Sequence, residues 1–294
     1  MEKKHWIDGY SAFAFETPFD FSKHSTIGCG GKAKVAFYPR SVPETVALIQ
    51  KLEEDGIAYR VLGNLSNVLP SDGESDKAVV CLKELREISK TETGVFAYAG
   101  VTAGGLLNAC KKFGKSGAEF LSGIPCTLGG ALYMNAGVSG AYIGDIVESV
   151  YVLRKGEPRL LGVNECGYAY KKSVFMQNGD TILGASLRLK EGTQTEIEDR
   201  EKWYFDRRAH LPKGRSMGCV FKNPVGAFAG ELIERSGLKG MRLGGAKISE
   251  THGNFILNDK GATSAEIRDL ILLIKNAVYA QYGIKLEEEI QYID

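Results

Sequence analysis

The sequence predicts an α+β protein because helical and strand-like segments alternate in a mixed order. A strand-like run at 34–38, a helical stripe at 43–55 and a second strand at 58–62 form a β-α-β pattern near the start. Residues 146–189 are mostly β in pattern, and the last third of the chain mixes helices with strands. Such a mixed order suggests an α+β unit in the last third of the chain.

Residues typical of helix ends mark the bounds of two predicted helices. Ser41 followed by Glu44 predicts a capping box at the start of the first helix, which Gly56 should end. Gly237 is expected just after another helix. The remaining predicted elements are strands at 78–82, 94–99, 147–153, 159–162, 181–189 and 285–293, and helices at 102–113, 193–208, 229–236 and 264–282.

Composition limits the classes of function. The 294 residues are 44% hydrophobic and 25% charged, as in soluble globular proteins. A net charge of +1 gives no electrostatic argument for nucleic acid or for an anionic membrane surface, so neither is an expected partner. The sequence contains no signal peptide and no long apolar run, so a cytoplasmic protein is expected. Six cysteines lie singly, without metal-binding spacing, which predicts reduced thiols and no structural metal.

A glycine-rich stretch at 121–140 is the strongest candidate for a binding site. Glycine lets backbone N–H groups approach an anionic ligand closely, and a second loop at 62–67 offers further donors. A diphosphate would need donors from more than one place. The alternative is a glycine-rich connection between strands. The 62–67 loop lacks the GxGxxG pattern, so a nicotinamide site of the Rossmann type is not supported.

Several single residues could carry chemistry, and each has a plainer explanation. Cys219 could donate a proton, or it could be a buried and inert thiol. Glu289 lies in an acidic triplet that could equally form a solvated strand edge. Lys171 and its neighbour could bind an anion or simply lie at the surface. His252 could contact a ligand or be a structural histidine.

Four motifs follow one another along the chain: GIPCTLGGALYMNAG at 123–137, GCVFKNP at 218–224, AGELIERSGLKG at 229–240 and GGAKISETHGNFILN at 244–258. In this order they resemble those of the UDP-N-acetylenolpyruvoylglucosamine reductase family, and the resemblance covers about residues 21–294. The resemblance is to the shorter class of the family. It implies a two-subdomain FAD-binding domain of the vanillyl-alcohol-oxidase (PCMH-like) type, followed by a smaller α+β substrate-binding domain. The implied domains are an arm at 1–20, an FAD domain at 21–195 with subdomains at about 21–77 and 78–195, and a substrate domain at 196–294.

The resemblance also implies an activity and its residues. NADPH would reduce FAD, and reduced FAD would reduce UDP-N-acetylglucosamine enolpyruvate to UDP-N-acetylmuramate for peptidoglycan synthesis, and so for cell shape and division. The family's acid-base serine falls on Cys219, its carboxylate-stabilising arginine on Lys171 and its terminal glutamate on Glu289. The expected state is a monomer. The implied substrate-binding residues are Tyr170, Arg215, Lys222 and Asn223.

The implied FAD site combines the two glycine-bearing loops, whose backbone N–H groups and polar side chains would hold the diphosphate. The residues are Gly63, Asn64, Leu65, Ser66, Asn67, Gly123, Ile124, Pro125, Thr127, Gly129, Gly130, Asn135 and Gly137.

The chain departs from the family pattern at both sites. Asn64 and Leu65 replace two glycines of L-G-G-G-S-N, and Cys126 replaces a glycine of G-I-P-G-T. Lys171 offers a point charge in place of the planar fork of arginine. An alternative is therefore a catalytically weakened paralogue that binds flavin or nucleotide-sugar without efficient turnover. A flavin oxidase of the same fold is a weaker alternative, because the C-terminal motifs resemble those of the reductases. The retained Cys219, Asn223 and Glu289 favour the enzyme, because an acid and a carboxylate are kept without an obvious structural need.

Overall fold

The computed structural model describes residues 5–294, with side chains from Ile7 onward, and these residues form two compact units. The first unit comprises the chain up to Thr17 together with Val35–Gly63 and Lys77–Arg208. The second comprises Pro18–Lys34, Asn64–Asp76 and Ala209–Asp294. Both units are thus assembled from segments that are distant in sequence. The predicted division into an arm, an FAD domain and a substrate domain is one of function, and it stays a prediction; residues 1–4 of the arm lie outside the described residues.

The first unit contains two main sheets. In the four-stranded sheet, Ala36–Phe37 and Tyr59–Leu62 both pair in parallel with Ala78–Cys81, and Val42–Glu54 is the crossover helix. This is the predicted β-α-β arrangement. The five-stranded antiparallel sheet has the order Glu157–Gly162, Val147–Arg154, Thr181–Arg188, Gly94–Tyr98 and Ile88–Lys90.

The other elements of the first unit are short apart from two helices, and they connect or cover the sheets. The helices are His5–Asp8, Ala103–Phe113, Leu128–Met134, Phe175–Asn178 and Gln194–Asp206, with 3₁₀ turns at Leu82–Glu84, Glu119–Leu121, Ile143–Asp145 and Val163–Glu165. The remaining strands are Phe15–Glu16, Lys115–Ser116, Gly137–Val138, Ala141–Tyr142 and Lys190–Glu191.

The second unit is also α+β. Its four-stranded antiparallel sheet has the order Ser216–Cys219, Phe255–Asn258, Ala246–Ile248 and Arg242–Leu243, and the long helix Ser264–Tyr282 packs beside it. The other helices are Phe21–His24 and Ala229–Arg235, and the other strands are Phe19–Asp20, Lys32–Ala33, Val68–Pro70, Glu74–Ser75 and Gln291–Ile293.

Each unit has its own apolar core. In the first, Leu48 and Leu52 of the crossover helix pack with Leu106 and with inward residues of both sheets. In the second, Ile267, Ile271 and Ile274 recur every three or four residues on one face of the long helix. Among residues 5–294, none of the helices combines the length and the apolar composition that a membrane span requires.

Two predicted strands are wrong in detail. Of the run predicted at 34–38, only Ala36–Phe37 is a strand, and the strand Lys32–Ala33 just before it pairs in a different sheet. The terminal strand predicted at 285–293 is limited to Gln291–Ile293, which pairs in parallel with Val68–Pro70. The segment before it makes only an isolated bridge at Glu288, so it changes partner and is not one continuous strand.

The predicted capping box of the first helix forms with a shifted partner. Ser41 Oγ accepts from the Glu44 N–H, but the Glu44 carboxylate accepts from the N–H of Arg40 rather than from that of Ser41. The helix predicted at 193–208 runs from Gln194 to Asp206, with Thr193 as its N-cap.

Candidate functional site

The glycine-rich stretch of the first unit folds around the short helix Leu128–Met134. Thr127 caps this helix, and its hydroxyl accepts from the Gly130 N–H. The N–H groups of Leu128 and Gly129 donate to Val101 and Ala99 carbonyls at 2.7 and 2.8 Å. The first turn of the helix is therefore bonded to the protein, and Gly129 allows close packing on Ala99 rather than offering its N–H to a ligand.

The residues around Thr127 nevertheless fit an anionic group. A Cβ on Gly63 would overlap the Thr127 hydroxyl, so this close approach of the two predicted loops requires glycine. Within the part of the chain that the structure describes, the N–H groups of Gly123 and Thr127 have no hydrogen-bond partner. Gly123 has a φ of +72°, which glycine adopts without strain. Backbone N–H donors of this kind, on a glycine-bearing loop, suit a diphosphate.

Arg208 adds a positive charge that the sequence analysis missed. Its side chain packs 3.4 Å from where a Cβ of Gly123 would lie, and its charge acts on the Cys126 thiol. Burial still raises the pKa of Cys126 to about 12, so this thiol stays protonated at neutral pH. Cys126 does not have a positive φ, so the cysteine takes the place of the family's glycine without left-handed strain. The sequence signal that could have pointed to Arg208 is the pair Arg207 and Arg208, which ends the charged segment predicted as a helix at 193–208.

Lys171 lies at the tip of a tight turn in the same unit. Ala169 and Lys172 exchange two backbone hydrogen bonds of 3.1 Å, and Lys171 has a φ of +52°. Asn135 Nδ2 donates to the Ala169 carbonyl at 2.8 Å, and Asn135 Oδ1 accepts from the Gly144 N–H at 3.0 Å. The predicted cofactor residue Asn135 is thus 4% exposed, with its side-chain amide bonded to two loops.

The residues that follow Lys171 hold the turn against the short helix. Ser173 is fully buried and donates from Oγ to the Tyr133 carbonyl at 2.6 Å, while Phe175 is buried in the core. The nearby Tyr168 hydroxyl is buried and has no hydrogen-bond partner among the described residues. Burial raises the pKa of Tyr168, so its hydroxyl keeps its proton and can donate to a ligand. An unpaired buried donor is costly, which favours a bound partner here.

The remaining predicted residues of the first unit lie around these loops. Ile124 N–H donates to the Leu121 carbonyl, which closes the turn before Pro125. A Cβ on Gly137 would overlap Ala141 and Tyr142 in the facing strand. Tyr170, predicted to bind substrate, is 43% exposed and contacts the Tyr142 ring edge-on.

In the second unit, the predicted loop Asn64, Leu65, Ser66 and Asn67 keeps a glycine-like backbone. Leu65 has a φ of +48°, a conformation that costs a side-chain-bearing residue about 1–2 kcal/mol. Its side chain is only 4% exposed, and burying a leucine contributes about 1.5–3 kcal/mol. Burial therefore offsets the strain of replacing a glycine at this position.

One side-chain and two backbone hydrogen bonds connect that loop to the predicted catalytic segments of the same unit. Asn67 Nδ2 donates to the Glu289 carbonyl at 3.2 Å, and the Gln291 N–H donates to the Asn67 carbonyl at 2.9 Å. The Glu289 N–H in turn donates to the Val220 carbonyl at 2.8 Å, directly after Cys219. The structure thus brings together three predicted segments, around Asn67, Cys219 and Glu289.

Cys219 is half-buried and follows a β-bulge. Ser216 pairs with Leu257 and Cys219 with Phe255, so two residues face one on the partner strand. Gly218 lies in this bulge with a φ of +77°, and such bulges redirect the side chains that follow. Beyond Cys219, the Asn254 side chain holds the backbone of Phe221. Asn254 Oδ1 accepts from the Phe221 N–H, and Asn254 Nδ2 donates to the Phe221 carbonyl, both at 2.8 Å.

The predicted substrate residues of the second unit have partners inside it. Lys222 pairs with Glu287, and its N–H donates to the Glu287 carbonyl. Asn223 Oδ1 accepts from the Ala229 N–H at 3.0 Å, at the start of the helix Ala229–Arg235. Arg215 packs over Gly28, where a Cβ would lie 2.7 Å from the arginine side chain.

His252, for which a ligand contact and a structural role were both predicted as alternatives, makes a local hydrogen bond in this fold. Its Nδ1 accepts from the Asn254 N–H at 3.2 Å, and burial lowers its pKa. No group of His, Cys, Asp or Glu side chains in residues 5–294 is arranged to hold a metal ion.

Two separate parts of the chain match models of known protein families. Residues 210–293 match the family described as UDP-N-acetylenolpyruvoylglucosamine reductase, C-terminal domain, and residues 33–158 match an FAD binding domain. The UDP-N-acetylenolpyruvoylglucosamine reductase of Clostridioides difficile is 38% identical over 92% of this chain and 90% of its own. That of Lactobacillus acidophilus is 36% identical over 92% of both chains.

A solved structure agrees with these matches. The crystal structure of UDP-N-acetylenolpyruvylglucosamine reductase (MurB) from Thermus caldophilus covers 96% of this chain and 100% of its own, with 32% identity and a TM-score of 0.83. The predicted α+β fold class with an FAD-binding domain is confirmed. This chain belongs to the UDP-N-acetylenolpyruvoylglucosamine reductase family.

Proposed function

We propose that this protein is the flavin-dependent oxidoreductase that reduces UDP-N-acetylglucosamine enolpyruvate to UDP-N-acetylmuramate, with FAD as its cofactor and NADPH as the reductant. Family membership at 34–38% identity over nine-tenths of the chain supports this activity. The product is a precursor of peptidoglycan, so the protein serves cell-wall synthesis.

The observation that carries the proposal is the set of hydrogen bonds that joins Asn67, Glu289 and Val220. These bonds bring the proposed cofactor loop, the backbone of Glu289 and the residue after Cys219 together within one compact unit.

The protein's own residues would divide the chemistry between binding and proton transfer. Bound FAD supplies the hydride chemistry that links NADPH oxidation to substrate reduction. Gly123, Thr127 and Arg208 would hold its diphosphate. The Lys171 ammonium group would stabilise negative charge on the substrate carboxylate as the double bond is reduced. The Cys219 thiol would give its proton to the carbon next to that carboxylate, with Glu289 close by.

The monomeric state and the cytoplasmic location are also part of this proposal. Nucleotide-sugar substrates and NADPH both belong to a reaction inside the cell. Mass measurement of the native protein with FAD bound would test the monomeric state, and a dimer at micromolar concentration would contradict it.

A weakened paralogue receives no support from two of the altered glycine positions. Leu65 adopts a left-handed backbone that is open to glycine, and Cys126 has no positive φ to strain. The donors near Thr127 also remain in place. These changes therefore preserve the backbone that would hold the diphosphate.

Steady-state turnover tests the proposal. The purified protein, loaded with FAD, should oxidise NADPH only when UDP-N-acetylglucosamine enolpyruvate is present, and the product should gain two hydrogen atoms by mass spectrometry. NADPH oxidation at the same rate without substrate would indicate an oxidase. FAD binding without turnover would favour the weakened paralogue.

A further inference from the structure

The turn that carries Lys171 depends on support from outside itself. Two backbone hydrogen bonds between Ala169 and Lys172 close it, and a third joins Val174 to Cys166 on either side. Lys171 has a φ of +52°, which a side-chain-bearing residue adopts at a cost. A turn of this kind can shift easily unless other groups fix its ends. The position of the Lys171 ammonium group is therefore decided partly by the groups that hold Ala169 and Ser173.

Asn135 provides one of these supports through both ends of its amide. Nδ2 donates to the Ala169 carbonyl at 2.8 Å, and Oδ1 accepts from the Gly144 N–H at 3.0 Å. Asn135 is itself left-handed, with a φ of +44°, and it ends the helix Leu128–Met134. The buried side chain thus ties the lysine turn to the helix of the glycine-rich stretch.

We propose that Asn135 is a positioning residue for substrate reduction, which acts by holding the Ala169–Lys172 turn and so the Lys171 ammonium group. The proposal rests on the proposed function, in which Lys171 stabilises charge on the substrate carboxylate. It assigns to the Asn135 side chain a role through the turn rather than a contact with the cofactor. A displacement of about 1 Å in a charged group can slow a reaction by about 100-fold.

Two variants separate the amide from the backbone conformation. Asn135→Asp keeps an acceptor for the Gly144 N–H but sets a carboxylate oxygen against the Ala169 carbonyl. Asn135→Gly adopts a positive φ without strain and loses both bonds. Each variant should slow substrate reduction by about 10- to 100-fold, while FAD content and the rate of flavin reduction by NADPH stay native. A native rate for Asn135→Gly would overturn the proposal, and so would loss of FAD in both variants.

A double-mutant cycle tests whether Asn135 acts through Lys171. Lys171→Ala alone should slow substrate reduction by about 10²- to 10³-fold. Asn135→Asp should then cause no further loss in that background, because the positioned group is gone. The matched control is Asn258→Asp, another buried asparagine that donates to Ile27 and accepts from Ala262. Any loss that it causes should be equal in both backgrounds.

The outcomes are distinguishable. If Asn135→Asp slows the native and Lys171→Ala proteins by the same factor, Asn135 does not act through the lysine and the positioning role is wrong. If Lys171→Ala leaves substrate reduction at its native rate, the proposed role of Lys171 fails, and the positioning role fails with it, although the reductase activity itself stands.

Discussion

The two regions proposed to carry the chemistry are held in place by different means. In the first unit, the Lys171 turn is fixed by side chains, with Asn135 bonded to Ala169 and Ser173 bonded to Tyr133. In the second unit, the segments that contain Cys219 and Glu289 are also joined to each other directly by backbone hydrogen bonds, from the Glu289 N–H to the Val220 carbonyl and from the Lys222 N–H to the Glu287 carbonyl.

This difference predicts how each region responds to substitution. Backbone hydrogen bonds survive a change of side chain, so the chain around Cys219 can exchange its reacting group while keeping its geometry. The family's serine is a cysteine here, and the Glu289 N–H to Val220 bond does not depend on that choice. The Lys171 turn is different, because it is held by side chains. One substitution there removes a hydrogen bond and leaves a buried polar atom unpaired.

The largest expected effect comes from Cys219→Ala, which removes a reacting group from the backbone-held region. Substrate reduction should slow by about 10²- to 10⁴-fold, as for the loss of a general acid. Stability and flavin reduction by NADPH should not change, because no backbone bond is lost. Stopped-flow measurement of each half-reaction would check this.

Cys219→Ser is the matched variant, since it restores the family's hydroxyl. It should keep most of the activity. Equal losses in both half-reactions of Cys219→Ala would contradict the role of the thiol as a proton donor.

The next effect is on stability, in the side-chain-held turn. Ser173→Ala leaves the Tyr133 carbonyl unpaired at a fully buried site, so the free energy of unfolding should fall by about 1–3 kcal/mol. Thermal unfolding measures this, and substrate reduction should slow as well. Ser236→Ala is the control, because Ser236 Oγ and N–H both donate to the Leu232 carbonyl, which keeps its backbone bond. Equal losses in the two variants would contradict the importance of the turn.

A smaller effect is expected at Leu65 in the cofactor loop. Leu65→Gly relieves left-handed strain of about 1–2 kcal/mol and loses side-chain burial of about 1.5–3 kcal/mol. The protein should become less stable by about 1 kcal/mol, while FAD affinity changes by less than about tenfold. Titration followed by flavin fluorescence would measure the affinity. A larger gain in affinity would show that Leu65 weakens the cofactor site, and would favour the weakened paralogue.

The smallest expected effect is on the pH dependence of stability, and it involves His252, which accepts a hydrogen bond from the Asn254 N–H. Burial lowers the pKa of His252 below its ordinary value near 6.5, so the folded protein binds fewer protons at this site than the unfolded chain. Its contribution to stability is therefore complete above about pH 6.5 and is lost as the pH falls. Protonation of Nδ1 would also break its bond from the Asn254 N–H.

Urea unfolding of native protein and His252→Gln at several pH values between 5 and 8 would measure this contribution. The variant should lose less stability than the native protein as the pH falls. Parallel curves for the two proteins would contradict the assignment.

The sequence predicted well the features that depend on neighbouring residues. The helix Ser264–Tyr282 has the predicted bounds because Thr263 and Glu266 cap its start and Gly283 ends it. The β-α-β segment and the ordered turn within the glycine-rich stretch were also predicted. These features follow from capping, periodicity and glycine positions, which are local properties.

Contacts between distant residues could not be predicted in this way. Asn67 bonds to Glu289, 222 residues away, and the terminal strand is short because its preceding segment pairs elsewhere. The hydrogen bond between Asn254 and Phe221 and the approach of Arg208 to Gly123 also join residues that only folding brings together. The family motifs pointed to Cys219, Lys171 and Glu289, but they did not show which hydrogen bonds hold the backbone around each residue.

One measurement tests the proposed activity most directly. The visible absorption spectrum of the FAD-loaded protein would be followed without oxygen, first after NADPH and then after UDP-N-acetylglucosamine enolpyruvate. NADPH should bleach the flavin band, and the enolpyruvyl substrate should restore it in full. A flavin that NADPH bleaches but the enolpyruvyl substrate does not reoxidise would contradict the reductase activity.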